Sequence, residues 1–377
     1  MNNNWEYVTF DKLFEWNEKS KIKAGDGLKE GEFDFFVCSD TEVKKYNKAL
    51  FNGEALIFGT GGNPSLHYKN GSFAYSTDCV VASKIVNEIN LKFVYYYLRQ
   101  GRLKQLQKGF KGSGLQHISK KYIEKILIPN IELEEQNRIV DKLDETFSEL
   151  ENGLYTLKRT KELVNVYRQS ILKQAFDSVK SDNKTIEEIC SNIVDCPHST
   201  PKWTKTGKIC LRTTNFRRNY LDLSEPNFVS EETFNLRNTR LIPKSGDILY
   251  SREGAILGIA CMIPKDTFIC LGQRMMLLRI NKDNNNKYLM YFLNSPKLTN
   301  YVASITGGTA SPHINVGAIK KFLIPAPSLD EQNKIVEQIE TCFSVCDYIE
   351  EIINKLILQS EIMKQSILDK SFEGGLL

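Results

Sequence analysis

No stretch of this 377-residue chain approaches the roughly 18 uninterrupted apolar residues that a membrane span needs. The opening residues, MNNNWEYVTFDKLFEW, are polar and acidic rather than basic and then apolar, so they do not read as a secretory signal. Nine cysteines fall at irregular intervals, with the spacing of neither a disulfide framework nor a zinc site. Cys190, Cys196, His198 and Cys210 come nearest to a metal set, yet they contain no C-x₂₋₄-C pair. The chain is therefore expected to be cytoplasmic, with reduced thiols and no metal or other cofactor. A net charge of +4 is too small to name a partner. Hydrophobic residues at 41% and charged residues at 25% are those of an ordinary globular protein, long enough for two or three domains.

What is present is a duplication. LEEQNRIVDKL begins at Leu133 and LDEQNKIVEQI at Leu329, 196 residues apart. The same offset carries His117-Ile118 onto His313-Ile314, and Leu127-Ile128-Pro129 onto Leu323-Ile324-Pro325. It also carries Gln169-Ser170-Ile171-Leu172 onto Gln365-Ser366-Ile367-Leu368, and Phe176 onto Phe372. A period this long is a doubled half-protein rather than a solenoid.

Each copy encodes a long helix. From Val140, steps of three and four visit Leu143, Phe147, Leu150, Leu154, Leu157, Lys161, Val164, Arg168, Ile171 and Ala175, a sustained heptad seam. Residues 133–176 would span about 66 Å as one helix. In the second copy the apolar seam is Val336, Ile339, Phe343, Cys346, Ile349, Ile353, Leu356, Ser360, Met363 and Ile367, with one slipped step at 343–346–349. Ser328 and Glu331 fit a capping box at its start. The expected partner of each helix is the other, and their matched lengths would set the distance between whatever they carry.

The remaining blocks alternate short apolar runs with turn residues and read as strands. Each ends in a short helix, Leu91–Arg99 or Lys287–Asn294, and a loop, GFKGSGLQHIS or GGTASPHIN. The expected fold is α+β: strand-rich domains at 1–130 and 179–327, and long helices within 131–178 and 328–377 that pair antiparallel as a coiled coil with pseudo-two-fold symmetry. Seven Lys/Arg stand against one acid between Gly101 and Lys125, and six against none between Lys202 and Tyr220. One basic stretch per half points to a polyanion.

PNIELEEQNRIV, PAPSLDEQNKIV and the QSIL near each helix end carry a family resemblance, as do DCPHSTPKW (195–203), CLRTTNF (210–216) and GDILYSREGAILG (246–258). With these residues the chain resembles the specificity subunit of type I restriction–modification enzymes. The resemblance implies two target-recognition domains, each reading half of a split site in double-stranded DNA. It also implies helices that dock two methyltransferase subunits, which carry the adenine-N6 chemistry, with restriction subunits joining them. The chain itself would have no catalytic residue.

For DNA contact the residue chemistry favours Arg212, Thr213, Thr214, Asn215, Arg217 and Arg218, then Arg252 and Arg274 near turns. In the first block the candidates are Asn63, His67, Lys69, Lys104, Lys108 and Lys111. That block has no clear counterpart of DCPHSTPKW or LRTTNF, so its reading surface is expected to differ. Phe58-Gly-Thr-Gly-Gly62 and Asn63-Pro64-Ser65-Leu66 imitate motifs of an adenine methyltransferase, the enzymatic alternative. They abut and lack the expected second proline, so a strand and turn is preferred. A coiled-coil scaffold without DNA binding is the other alternative. His117 and His313 share a repeat position without a nucleophile partner, which favours a framework role at the loop-to-strand junction.

Overall fold

The computed structural model describes residues 5–254, 256–306 and 312–372. The GGTAS half of the second loop and Ala255 lie outside the described residues. The chain forms two compact units, one made of residues up to Lys158 together with those from Ile353, the other of Arg159–Ile352.

The first unit holds a six-stranded sheet in the order Phe14–Trp16, Cys79–Lys84, Phe51–Gly59, Ser65–Tyr75, Phe33–Phe36, Val43–Tyr46. The second holds a four-stranded sheet in the order Cys190–Asp195, Met275–Ile280, Ile248–Ser251, Ala260–Met262. The first four strands of the larger sheet match the smaller sheet in order, and every neighbouring pair among them is antiparallel. Strand alternation splits the side chains between two faces. Leu56 and Phe58 face one core and Ala55 and Ile57 another; Ile248 and Tyr250 separate from Leu249 in the same way. The first block adds a hairpin, whose strand Phe33–Phe36 runs parallel to its sheet neighbour.

Both expected long helices form, at Leu133–Asp177 and Leu329–Phe372. A short strand precedes each, Leu127–Asn130 or Leu323–Pro325, and pairs antiparallel with the strand that opens its own block. In the first unit the start of the first helix shares a core with the end of the second, where Phe372 packs on Phe93 and Tyr97. In the second unit the roles reverse, and Phe176 packs edge-on against Tyr288 and Phe292. Within each unit, start beside end is the antiparallel arrangement expected.

All eleven seam positions of the first helix, Val140 through Ala175, are buried or half-buried. The second seam differs from expectation. Ile349, Leu356 and Met363 are exposed, and the covered positions are Glu350, Ile357 and Lys364. The seam then runs 346–350–353–357–360–364–367 with no slip. Sequence reading followed the apolar residues, whereas charge occupies the seam where a partner meets it. Glu350 and Asp347 hold Arg168 at 2.9 and 2.7 Å in the second unit, and Lys364 meets Glu151 at 2.7 Å in the first. At the start of the second helix, Glu331 N–H donates to Ser328 Oγ, the hydroxyl arm of the expected capping box.

Gly153 has no atom within 4 Å of where a Cβ would stand. Gly153→Ala is expected to stabilise the helix by about 1 kcal/mol, because glycine loses more backbone freedom than alanine in a helix interior. Chemical denaturation of the two proteins would read the gain, and an unchanged or lowered midpoint would refute it.

Expected short helices are present with small changes. LKFVYYYLR begins at Leu91, turns left-handed at Gly101, Arg102 and Leu103, and continues to Gln107. Asn286–Leu293 is followed by a second helix, Pro296–Thr306, that the sequence reading did not anticipate.

Candidate nucleic-acid interface

The Gln-Asn of the repeated Glu-Gln-Asn in each long helix ties each strand-rich block to its helix. Gln136 accepts the N–H of Asn90 at 2.9 Å and donates to the carbonyls of Glu88 and Ile131. Asn137 accepts from the Asn90 amide, and Asn90 in turn caps the helix Leu91–Gln107. In the second unit Gln332, Asn333 and Asn285 repeat these roles at Asn285–Tyr288, except that Gln332 donates to Pro327 O and to the Asn284 side-chain oxygen. Gln136 and Gln332 are each only 1% exposed. One turn further, Lys92 and Tyr96 meet Asp144, as Lys287 and Tyr291 meet Glu340.

On this shared frame both units present the same pair of loops. In the first, Ile118 N–H donates to Thr60 O and Gly62 N–H to Gln116 O. In the second, Ile314 N–H donates to Arg252 O and Gly254 N–H to Pro312 O. His117 bridges Gly61 as His313 bridges Glu253, so both histidines serve the loop framework through their backbones. GEALIFGTGG is thus the counterpart of SGDILYSREG. The apparent methyltransferase glycines are the end of the strand Phe51–Gly59 and its turn. The thiol of Cys38 lies beside this turn and accepts from Gly61 N–H at 3.4 Å; its hydrogen bond with Cys79 draws its pKa down to about 7.

In the second unit the structure brings Arg212, Thr213 and Arg274 together. They line a cleft of about 210 Å³ with Thr200, Trp203 and Gln273. The Arg212 guanidinium lies 4.9 Å from the Trp203 ring centroid, a stack that orders an otherwise flexible cation. Arg274 has φ of +65°, which turns this exposed residue sharply out of the strand that follows it. Thr214 and Arg217 are exposed nearby, with Arg217 joined to Asp222 at 2.9 Å and to the Thr214 carbonyl. Arg218 turns instead to a separate cleft, where burial pulls the pKa of its guanidinium down.

Four expected contacts have internal partners in this structure. Asn215 is buried, accepts from Arg212 N–H and donates to Asp222 O, holding the turn that follows Arg212. Arg252 is buried in an ion pair with Asp195 at 2.8 Å. His67 Nε2–H donates to Ser39 O at 2.7 Å, and burial lowers the ring's pKa. Lys69 and Lys45 share Asp34, and these bonds hold its carboxyl below the usual carboxylate range. Spacing on a strand cannot show whether a polar side chain meets solvent or a neighbouring strand.

Asn63 stays exposed at its turn, beside the loop that carries exposed Lys111; Lys108 and Lys104 follow back along the helical segment. Sequence reading missed Trp203, Thr200 and Gln273, although an aromatic between Lys202 and Lys205 was the available signal for the first. Among the described residues no three potential ligands gather as a metal set, and all nine cysteines are free thiols.

Comparison with known proteins places this architecture. The chain matches the family described as the type I restriction modification DNA specificity domain twice, over residues 2–159 and 179–359. It is similar to the type I restriction enzyme EcoDI specificity subunit of Escherichia coli, 22% identical over 406 residues that cover 99% of this chain and 88% of that one. The MjaVIII specificity subunit of Methanocaldococcus jannaschii is 25% identical over 318 residues, covering 78% of this chain and 71% of the relative. A solved chain from work on complex assembly and conformational transition of the type I R-M system superposes with a TM-score of 0.70 at 16% identity, over 99% of both chains. The HsdS subunit from Thermoanaerobacter tengcongensis gives 0.54 at 17% identity, over 100% of this chain and 98% of that one. With both halves matched, the chain belongs to the type I restriction modification DNA specificity domain family.

Proposed function

We propose that the blocks at 1–130 and 179–327 each read one half of a bipartite site in double-stranded DNA. The helices within 131–178 and 328–377 hold the two readers at a fixed spacing and dock two modification subunits, which restriction subunits then join. The chain is a specificity subunit: it supplies recognition and is not itself the enzyme. Its place of action is the cytoplasm, where its DNA lies. No described helix is long and apolar enough to cross a membrane.

The observation that carries the reading is the duplicated loop pair, held on the same sheet in both units with exposed cations beside it. The two loop pairs differ in residues, so the half-sites should differ in sequence. Docking is supported by apolar side chains left exposed on the helices. They include Val345, Tyr348 and Leu163 in the second unit, and Tyr155, Leu358 and Ile362 in the first.

Arg212→Ala is the direct test. It should relax recognition of one half-site by about 1–3 kcal/mol, the size of a lost bidentate contact to a base. Binding to duplexes altered in either half would measure it. Equal weakening on every sequence would instead make Arg212 a phosphate clamp. Absence of duplex binding by the unchanged chain at every salt concentration would instead favour a scaffold without a nucleic-acid role.

A further inference from the structure

The cleft residues of the second unit come from three separate stretches of chain: Thr200 and Trp203, Arg212 and Thr213, Gln273 and Arg274. Something must hold these stretches in register. Arg237, the last residue of the helix Glu231–Arg237, is 6% exposed and lies behind the cleft. Its Nε donates to Leu271 O at 2.6 Å and its Nη2 to Gly272 O at 2.6 Å. The same guanidinium reaches Pro197 O at 3.2 Å and Ser199 O at 3.0 Å. Among the described residues it has no carboxylate partner within ion-pair distance. A cation buried on four carbonyls is a costly choice for stability alone, since an apolar residue could fill the space. It is a suitable choice for geometry, because the planar fork fixes several acceptors at once and a lysine ammonium does not.

The acceptors sit where they matter. Leu271-Gly272 directly precedes Gln273-Arg274, and Pro197–Ser199 directly precedes Thr200. Gln273 adds a second tie, donating to His198 O at 2.6 Å. The third stretch joins through Gly272: a Cβ there would stand 1.9 Å from Leu211 O, so only glycine lets the segment lie against the residue before Arg212. Leu211 N–H also donates to Cys270 O at 3.0 Å.

We infer that Arg237 is a positioning residue for the second reader: without touching DNA, it sets the relative placement of the stretches that carry Trp203, Arg212 and Arg274. This inference rests on the proposal that the cleft reads DNA. The experiment uses the full chain with its modification subunits, on duplexes bearing its own site as mapped by methylation. Three proteins are compared: unchanged, Arg237→Lys and Arg212→Ala.

Arg237→Lys should lose roughly tenfold to a hundredfold of discrimination in one half-site, the half that Arg212→Ala also relaxes. Discrimination in the other half should be unchanged. The dependence of log affinity on log salt should also stay the same, since no phosphate contact is removed. Hydrogen exchange should show faster amides at 198–200 and 271–274 while the strands Ile248–Ser251 and Met275–Ile280 stay protected. Full discrimination in Arg237→Lys overturns the inference, as does equal weakening on every sequence, which would mark a phosphate contact. Loss of protection throughout the unit overturns it too, because Arg237 would then support the core rather than the reader. If Arg212→Ala changes neither half-site, it is the reading of the cleft that fails, whatever Arg237→Lys does.

Discussion

Gln136→Ala is expected to destabilise the first unit by about 4 kcal/mol. The side chain is buried and its amide uses both ends: the oxygen takes Asn90 N–H, and the nitrogen serves Glu88 O and Ile131 O. Alanine leaves a buried donor and two carbonyls without these partners, each worth about 1–3 kcal/mol when water cannot replace the bond. It also opens a small void. Because Asn90 caps the helix Leu91–Gln107, the loss should spread to that helix before it reaches the sheet. Native-state hydrogen exchange would locate the effect: faster amides from Asn90 through Leu98 in the first unit, with the equivalent Asn285–Leu293 unchanged. Gln332→Ala should give the mirror result. A cost below about 1 kcal/mol, or equal loosening of both units, would mean that the clamp is not what couples block to helix.

This clamp also explains what was legible in the sequence. EQN was visible as a repeat because a buried glutamine, with the asparagine beside it, cannot drift without breaking several bonds at once. The helices were visible because Val140, Leu143 and Phe147 repeat at the seam spacing. The charged seam positions Glu350 and Lys364 were not, because a periodicity search counts apolar residues and cannot see a salt bridge arriving from another helix. The same limit hid the correspondence of Thr60–Gly62 with Arg252–Gly254. It is a backbone correspondence, made by N–H and C=O groups that any residue carries, and only the last glycine of each triplet is shared. At the reader, Arg212 and Arg274 were chosen for their chemistry and fall in one cleft. Arg252 and Asn215 were chosen on the same grounds but are buried with partners that lie 57 and seven residues away. Residue type predicts what a side chain can do, and the fold decides what it is left free to do.

The largest change in behaviour is expected from lengthening the helix pair. Under the proposed function the two helices set the distance between the readers, so the length of the unread spacer should follow helix length. The seam dictates how the change must be made. Four residues added to one helix alone would advance its axis by about 6 Å but carry its seam out of register with the partner. Arg168, seated between Asp347 and Glu350, or Lys364 on Glu151 would then face the wrong residues, and for the largely buried Arg168 the loss of its carboxylates is strongly unfavourable. One full heptad added to both helices, after Gly153 and after Glu361, keeps every 3–4 step and adds about 10 Å. Duplex DNA rises roughly 3.4 Å per base pair, so the preferred spacer should grow by about three base pairs while the bases read in each half stay the same. Three base pairs also rotate one half-site by roughly 100° about the duplex at 10–10.5 base pairs per turn, so the original spacer should no longer bind well. Selection from duplexes with both half-sites fixed and the spacer length randomised gives the answer. A spacer preference that stays where it was, in a protein that still reads both halves, would reduce the helices to packing elements and end the idea that they measure distance.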